Sequence, residues 1–165
     1  MKREISSSAN GRVNLLGEHL DYNGGAVLPL QIDKCVKIYL SDNNTNEKIV
    51  IKSKQYDEKV IINHNLAKQE NWSDFVVGAC KIISDKFGIK ISSINFVIDS
   101  DLPIGIGLSS SAAITVATLR ALIAKYNIEI SNVYSRNMNN AKRFANKFNI
   151  KKFTNNLNEI FENKI

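Results

Sequence analysis

Two stretches of the 165-residue chain gather side chains that could do chemistry. The first, "PIGIGLSSSAA" (103–113), sets Gly105 and Gly107 ahead of Ser109, Ser110 and Ser111 and runs into the apolar sequence "AITVATLRALIAKY". At a helix start the leading backbone N–H groups lack intrahelical partners and carry partial positive charge. Glycines just before such a start let the backbone approach a ligand closely, and together the two features cradle phosphate. The serine hydroxyls add donors for phosphate or an oxygen ligand for Mg²⁺. Plain capping of a helix by serine is the alternative use of the same residues. The stretch is neither a Walker P-loop, since no Gly-Lys-Ser/Thr follows, nor a G-x-G-x-x-G dinucleotide fingerprint.

The second stretch, "GRVNLLGEHLDYNGG" (11–25), packs Arg12, Glu18, His19 and Asp21 between glycines. Alternating acceptors and donors suit a polyhydroxylated ligand, whose hydroxyls can donate to a carboxylate while accepting from a cation or a ring N–H. A solvated charged loop is the bland alternative. A metal site is a third, with Glu-His-x-Asp supplying ligand types but no metalloprotease spacing.

The flanking elements read as mixed strand and helix. "GAVLPLQI", "CVKIYLS", "KIVIKS" and "KVIINH" have the β-branched alternation of strands, with turn chemistry in "DNNTNE" and "QYDE". "WSDFVVGACKIISDKFG" predicts a helix whose apolar face is Phe75, Val76, Ala79, Ile82 and Ile83, stopped at Gly88. "SSINFVIDSDLP" predicts a strand feeding the Gly/Ser stretch, and residues 111–126 an Ala-rich helix buried on most sides. After residue 126 asparagine becomes frequent and glycine is absent. There "NNAKRFANKFN" and "TNNLNEIFENK" predict two short amphipathic helices, the second with Thr154 as N-cap.

Composition bounds the function classes. With 44% hydrophobic and 23% charged residues the chain can bury a core. No apolar run approaches a membrane span, and the N-terminus lacks the apolar core of a signal peptide, which points to the cytoplasm. Cys35 and Cys80 read as small buried hydrophobes, not as a disulfide framework. The net charge of +6 is concentrated after residue 126, where seven Lys+Arg face three Asp+Glu. Without an aromatic-interleaved basic motif this reads as a solvated surface, and neither nucleic acid nor membrane is expected as a partner.

Together the two stretches resemble the galactokinase branch of the GHMP small-molecule kinases. "GRVNLLGEHLDYNGGAVLP" is similar to that branch's sugar signature, "LPIGIGLSSSAA" to the family's phosphate motif, and "NWSDFVVGA" to its W-x-x-[YF]-V-x-G stretch. The resemblance covers residues 6–126 and implies an α+β domain like ribosomal protein S5 domain 2, followed here by a short helical tail. It implies transfer of the ATP γ-phosphate to a sugar hydroxyl, with Mg²⁺. Carried over by position, Glu18, His19 and Asp21 would hold a galactose-like sugar, and Arg12 would stabilise charge near the reacting hydroxyl. Gly105, Gly107, Leu108, Ser109, Ser110, Ser111 and Ala112 would cradle the phosphates, with Ser110 or Ser111 near the metal. Trp72 and Phe75 would lie by the nucleotide base, a core helix face being the alternative for Phe75.

The sequence also departs from that branch. Asn10 replaces the usual Pro before Gly-Arg, and Leu20 stands where Thr is common, which bears on the choice of sugar. Galactokinases are more than twice as long. The catalytic aspartate, a second Mg²⁺-associated acid and the C-terminal domain that closes the sugar pocket all lie beyond the matching part. Residues 127–165 contain no aspartate; their acids are Glu129, Glu159 and Glu162. The expectation is therefore two regions: a kinase-like domain over 1–126, inactive alone or acting as a sugar or nucleotide sensor, and a divergent tail over 127–165. That tail resembles the second β-α unit of Gfo/Idh/MocA-type oxidoreductases, with Arg136 near the ribose or phosphate of a dinucleotide. Half of a two-domain kinase should expose the apolar surface that its other half would cover.

Overall fold

The computed structural model describes residues 4–17, 19–20, 23–44, 48–103 and 107–162. The predicted Glu18, Asp21 and Gly105 lie outside the described residues. The chain divides into two compact units, Met1–Tyr126 and Asn127–Ile165.

The first unit is an α+β layer built on a five-stranded sheet. β1 (Ile5–Leu16) and β2 (Leu28–Asp42) form a long antiparallel hairpin. β3 (Ile49–Ser53) and β4 (Glu58–Ile62) form a second, and β5 (Ile94–Ser100) lies between β2 and β3, antiparallel to one and parallel to the other. Period-two alternation sets the buried face: Val36, Ile38 and Leu40 of β2 and Ile94, Phe96 and Ile98 of β5 point inward, while Lys37 is exposed. The two stretches predicted as separate strands at 25–32 and 35–41 fall largely in one continuous β2. β1 was not foreseen as a strand, because its alternate positions Ser7, Ala9 and Gly11 are small, not large and apolar.

Those small residues let a helix come close. α2 (Ser110–Tyr126) buries Ala113, Ala117, Ala121, Thr118 and Leu122. Ser7 Oγ donates to the Ala117 carbonyl at 2.6 Å, and Arg120 Nη1 donates to the Ser8 carbonyl at 2.6 Å. The helix is thus buried along one stripe, not on most sides, and Val116 is 42% exposed. α1 (Asp74–Phe87) buries Val76, Val77, Ala79, Cys80 and Ile83 and ends at Gly88, whose φ of 63° is left-handed as that stop requires. Phe75 and Ile82, expected on its core face, are exposed instead.

Burial pushes the Cys80 thiol up to about 12 from its ordinary value of 9.0. Native Cys80 should therefore resist maleimide at neutral pH while half-buried Cys35 reacts, a difference that mass spectrometry with and without denaturant will read. The unfolded thiol releases its proton first, so this group's contribution to stability is full below pH 9.0 and is lost as pH rises toward about 12.

The second unit is a small β-α-β-α unit, so the expected helical tail also contains strands. β6 (Asn132–Tyr134) and β7 (Lys152–Thr154) pair in parallel, with α3 (Met138–Lys147) between them and α4 (Leu157–Glu162) after. Asparagine does the work glycine does elsewhere. Asn127 and Asn149 adopt left-handed φ of 52° and 53°, and the Asn137 side chain caps α3 by accepting from the Asn139 and Asn140 N–H groups. Asn156, not Thr154, caps α4: its Oδ1 accepts from Asn158 N at 3.1 Å, while Thr154 Oγ1 holds the preceding turn through Asn156 N at 2.9 Å.

Candidate functional site

The Gly/Ser stretch leaves the sheet at the end of β5 and is anchored on both sides. The Asp101 carboxylate accepts from Cys35 N at 2.6 Å, and Gln55 Nε2 donates to the Leu102 carbonyl at 2.7 Å. Leu102 itself is buried. Beyond it, Gly107 (φ 74°) and Ser109 (φ 58°) both take left-handed backbone, and α2 begins at Ser110. For a serine that conformation costs on the order of 1–3 kcal/mol and persists only where the surroundings impose it. Ser109 carries the first helical carbonyl, which accepts from Ala113 N at 3.0 Å. The positive end of the α2 dipole therefore lies at Ser109–Ala112.

The same turn is tied to the other predicted stretch. Arg12 N donates to the Leu108 carbonyl at 3.2 Å, so β1 and the phosphate-type loop meet directly. Gly11 makes this possible: a Cβ there would lie 2.5 Å from Leu102 Cδ2 and 3.0 Å from the Leu108 carbonyl oxygen. The β1–β2 register shifts at this point.

Two cavities open on either side of the first turn of α2. One, of 520 Å³, has Arg12, Gln31, Ser109, Ala112 and Arg120 among its lining residues. Among the described residues none that lines it is acidic. The other, of 70 Å³, brings Trp72, Phe75, Ser110 and Ser111 together with Tyr56. Trp72 is fixed twice: its Nε1 donates to Glu58 Oε2 at 2.6 Å, and its ring stacks on Tyr56 with centroids 6.0 Å apart. The loop that carries it is pinned by the Asp74 carboxylate, which accepts from Gln69 N and Glu70 N at 2.7 and 2.8 Å.

Leu108 contributes backbone to the joint, while His19 lines neither cavity. It sits in the turns that join β1 to β2, with φ 64° and its carbonyl accepting from Asn23 Nδ2 at 2.8 Å. Gly17 (φ 86°) starts those turns, where a Cβ would lie 2.4 Å from the Ala26 carbonyl oxygen. Apolar side chains crowd that end of the hairpin: Leu15, Leu16, Leu20, Val27, Leu28 and Leu30 are all exposed.

Sequence reasoning missed Tyr56, Gln31 and Arg120. Tyr56 was absorbed into the turn "QYDE", and nothing local marks it as the partner of Trp72. Among the described residues no cluster of three or more His, Cys, Asp and Glu could hold a metal ion. Near the loop the donors are the neutral hydroxyls of Ser110 and Ser111. Such a set fits Mg²⁺ that arrives on nucleotide phosphates and keeps most of its other oxygen ligands from them and from water.

The family profile of the galactokinase galactose-binding signature matches residues 2–41, and that of the GHMP kinases N terminal domain matches residues 74–152. The chain is thus similar to the N-terminal part of GHMP kinases. Among similar proteins, a galactokinase of Thermosipho africanus is 41% identical over 125 residues, 76% of this chain and 34% of that protein. A galactokinase of Pyrococcus furiosus is 38% identical over 128 residues, 77% of this chain and 35% of that one. The chain spans about a third of the length of these curated relatives.

Solved structures agree with the α+β GHMP kinase fold. A mevalonate kinase of Methanococcus jannaschii superposes with a TM-score of 0.66 at 26% identity, over 79% of this chain and 42% of that one. A Lactococcus lactis galactokinase complexed with galactose gives 0.66 at 25% identity, over 78% of this chain and 34% of its own. Among the described residues no helix is long and apolar enough to cross a membrane.

Proposed function

We propose that residues 1–126 are the N-terminal part of a galactokinase-like sugar kinase that moves the ATP γ-phosphate to a hydroxyl of galactose or a related sugar. The bond between Arg12 N and the Leu108 carbonyl carries this reading, because it joins the sugar-signature strand to the phosphate-type loop. In it, Gly105, Gly107, Leu108, Ser109, Ser110, Ser111 and Ala112 surround the nucleotide phosphates, with backbone N–H groups and serine hydroxyls as donors. Trp72, Tyr56 and Phe75 form the wall for the base. Arg12, on the other side of the helix turn, offsets charge on the group in transfer. Glu18, His19 and Asp21 accept from and donate to the sugar hydroxyls. Ser110 or Ser111 would hold Mg²⁺, which would supply charge neutralisation at the phosphate oxygens.

The chain's own residues position and stabilise charge; among the described residues lining the Arg12 cavity none is a carboxylate or imidazole that could take the hydroxyl proton. We therefore read residues 1–126 as a binding domain that is inactive without further chain, with small molecules as ligands and the cytoplasm as its place. Residues 127–165 form a separate compact unit, which we read as a divergent tail even though the kinase-domain profile runs on to residue 152. The parallel β6–α3–β7 arrangement with Arg136 just past β6 favours its likeness to a β-α unit of Gfo/Idh/MocA-type oxidoreductases.

Thermal melting of the purified chain with galactose, Mg-ATP or NADP⁺, beside an ADP-release assay, tests all of this. A ligand at a hundred times its Kd stabilises by about 2.7 kcal/mol. Galactose and Mg-ATP should each raise the melting temperature, Arg12→Ala should shrink the galactose shift, and ADP release should stay at background. No shift with either ligand would remove the kinase reading. Sugar- and Arg12-dependent ADP release would show that the site is complete. No shift with NADP⁺ would remove the reading of the tail.

A further inference from the structure

The second unit carries a surface that the kinase reading leaves unused. Among the described residues β6 pairs with β7 alone, so its other edge is an open row of backbone donors and acceptors. Beside that edge a groove of 740 Å³ runs between β6 and α3. α3 buries only its small residues, Ala141 and Ala145, and leaves large ones out: Phe144 and the C-cap residue Phe148 are 52% and 53% exposed, with rings 4.5 Å apart. Arg143 and Lys147 line the same groove, with Lys147 Nζ 5.6 Å from the centroid of the Phe148 ring. Among the described residues no acidic one lines it, and residues 127–165 carry seven Lys+Arg against three Asp+Glu.

We propose that this groove docks an extended acidic segment of a partner protein, which adds a strand to the free edge of β6 and seats apolar side chains against Phe144 and Phe148. The open edge supplies main-chain hydrogen bonds, and the phenylalanines supply pockets for alternate side chains. Arg143 and Lys147 select negative charge. A second copy of this chain brings the same two cations against themselves, which opposes pairing. A nucleic acid could stack on the phenylalanines but has no peptide backbone to complete a strand edge.

The test uses the full chain and two labelled, blocked heptapeptides. One alternates glutamate with valine, the other lysine with valine; oligothymidylate and the unlabelled chain itself are the competing probes. Fluorescence anisotropy should show saturable binding of the glutamate peptide, weakening with salt, and none of the lysine peptide. The double variant Arg143→Glu/Lys147→Glu should weaken it by on the order of tenfold or more. Phe144→Ala should weaken it as well, with circular dichroism and melting unchanged in both variants. Amide exchange at residues 132–134 should slow when the glutamate peptide is bound. Absence of binding, equal binding of both peptides, or full affinity in the charge-reversed variant each overturns the proposal. So does preferential binding of oligothymidylate, or self-association that protects the same amides.

Discussion

Replacing Gly11 by valine should lower stability by about 1–3 kcal/mol and abolish the thermal shift given by Mg-ATP. Gly11 is buried where β1, Leu102 and the Leu108 carbonyl converge, and even one added carbon would sit 2.5 Å from Leu102 Cδ2. Leu102 is itself buried, and the Leu108 carbonyl oxygen would lie only 3.0 Å from the added carbon, so both side chain and backbone are pressed. The weakest link there is the 3.2 Å bond from Arg12 N to Leu108, which holds the loop against the strand. Chemical denaturation and nucleotide-dependent melting of the variant separate the two effects. A variant that melts lower yet keeps its full nucleotide shift would mean that the joint serves only the fold.

The second large effect belongs to Phe96. It is fully buried at the middle of β5, opposite Leu40 of β2 and Ile51 of β3. Phe96→Ala should cost about 3–5 kcal/mol, from lost transfer free energy plus the cavity left behind. That is a large share of the 5–15 kcal/mol that holds a typical domain folded. Because β5 delivers the chain to Asp101 and Leu102, nucleotide binding should fall together with the denaturation midpoint. A loss below about 1 kcal/mol in urea titration would show that the core refills the space.

Much of this was legible in the sequence, for one physical reason: a half-buried strand or helix must repeat its apolar residues at its own period. That is why β3, β4, β5 and both large helices lie where alternation and helical spacing put them. β1 escaped because a helix packs tightly on it. Close approach selects Ser7, Ala9 and Gly11, and small residues in a row look like a turn. Phe75 was readable in two ways: the helical period of α1 put it on the core face and the family resemblance put it by the nucleotide base, and it lines the small cavity beside Ser110 and Ser111 instead of the core. Tyr56 had no signal, since its role depends on a ring that meets it only in three dimensions. The two motifs could be read, but not that Gly11 joins them.

The clasp between β1 and α2 also has a consequence for how the chain is made. Ser7 waits for a carbonyl 110 positions later, and the Ser8 carbonyl for a guanidinium 112 positions later. As the chain leaves the ribosome, the β1–β2 hairpin is the first product, but its helix partner is among the last parts of the unit to emerge. Until then the earliest strand has only β2 to hold it, and an isolated hairpin is marginal in water. Contacts so distant along the chain carry a loop-closure cost and form slowly. The ligand pocket therefore comes into being only once α2, the last element of this unit, has emerged, and its occupancy reports that the whole unit has been made.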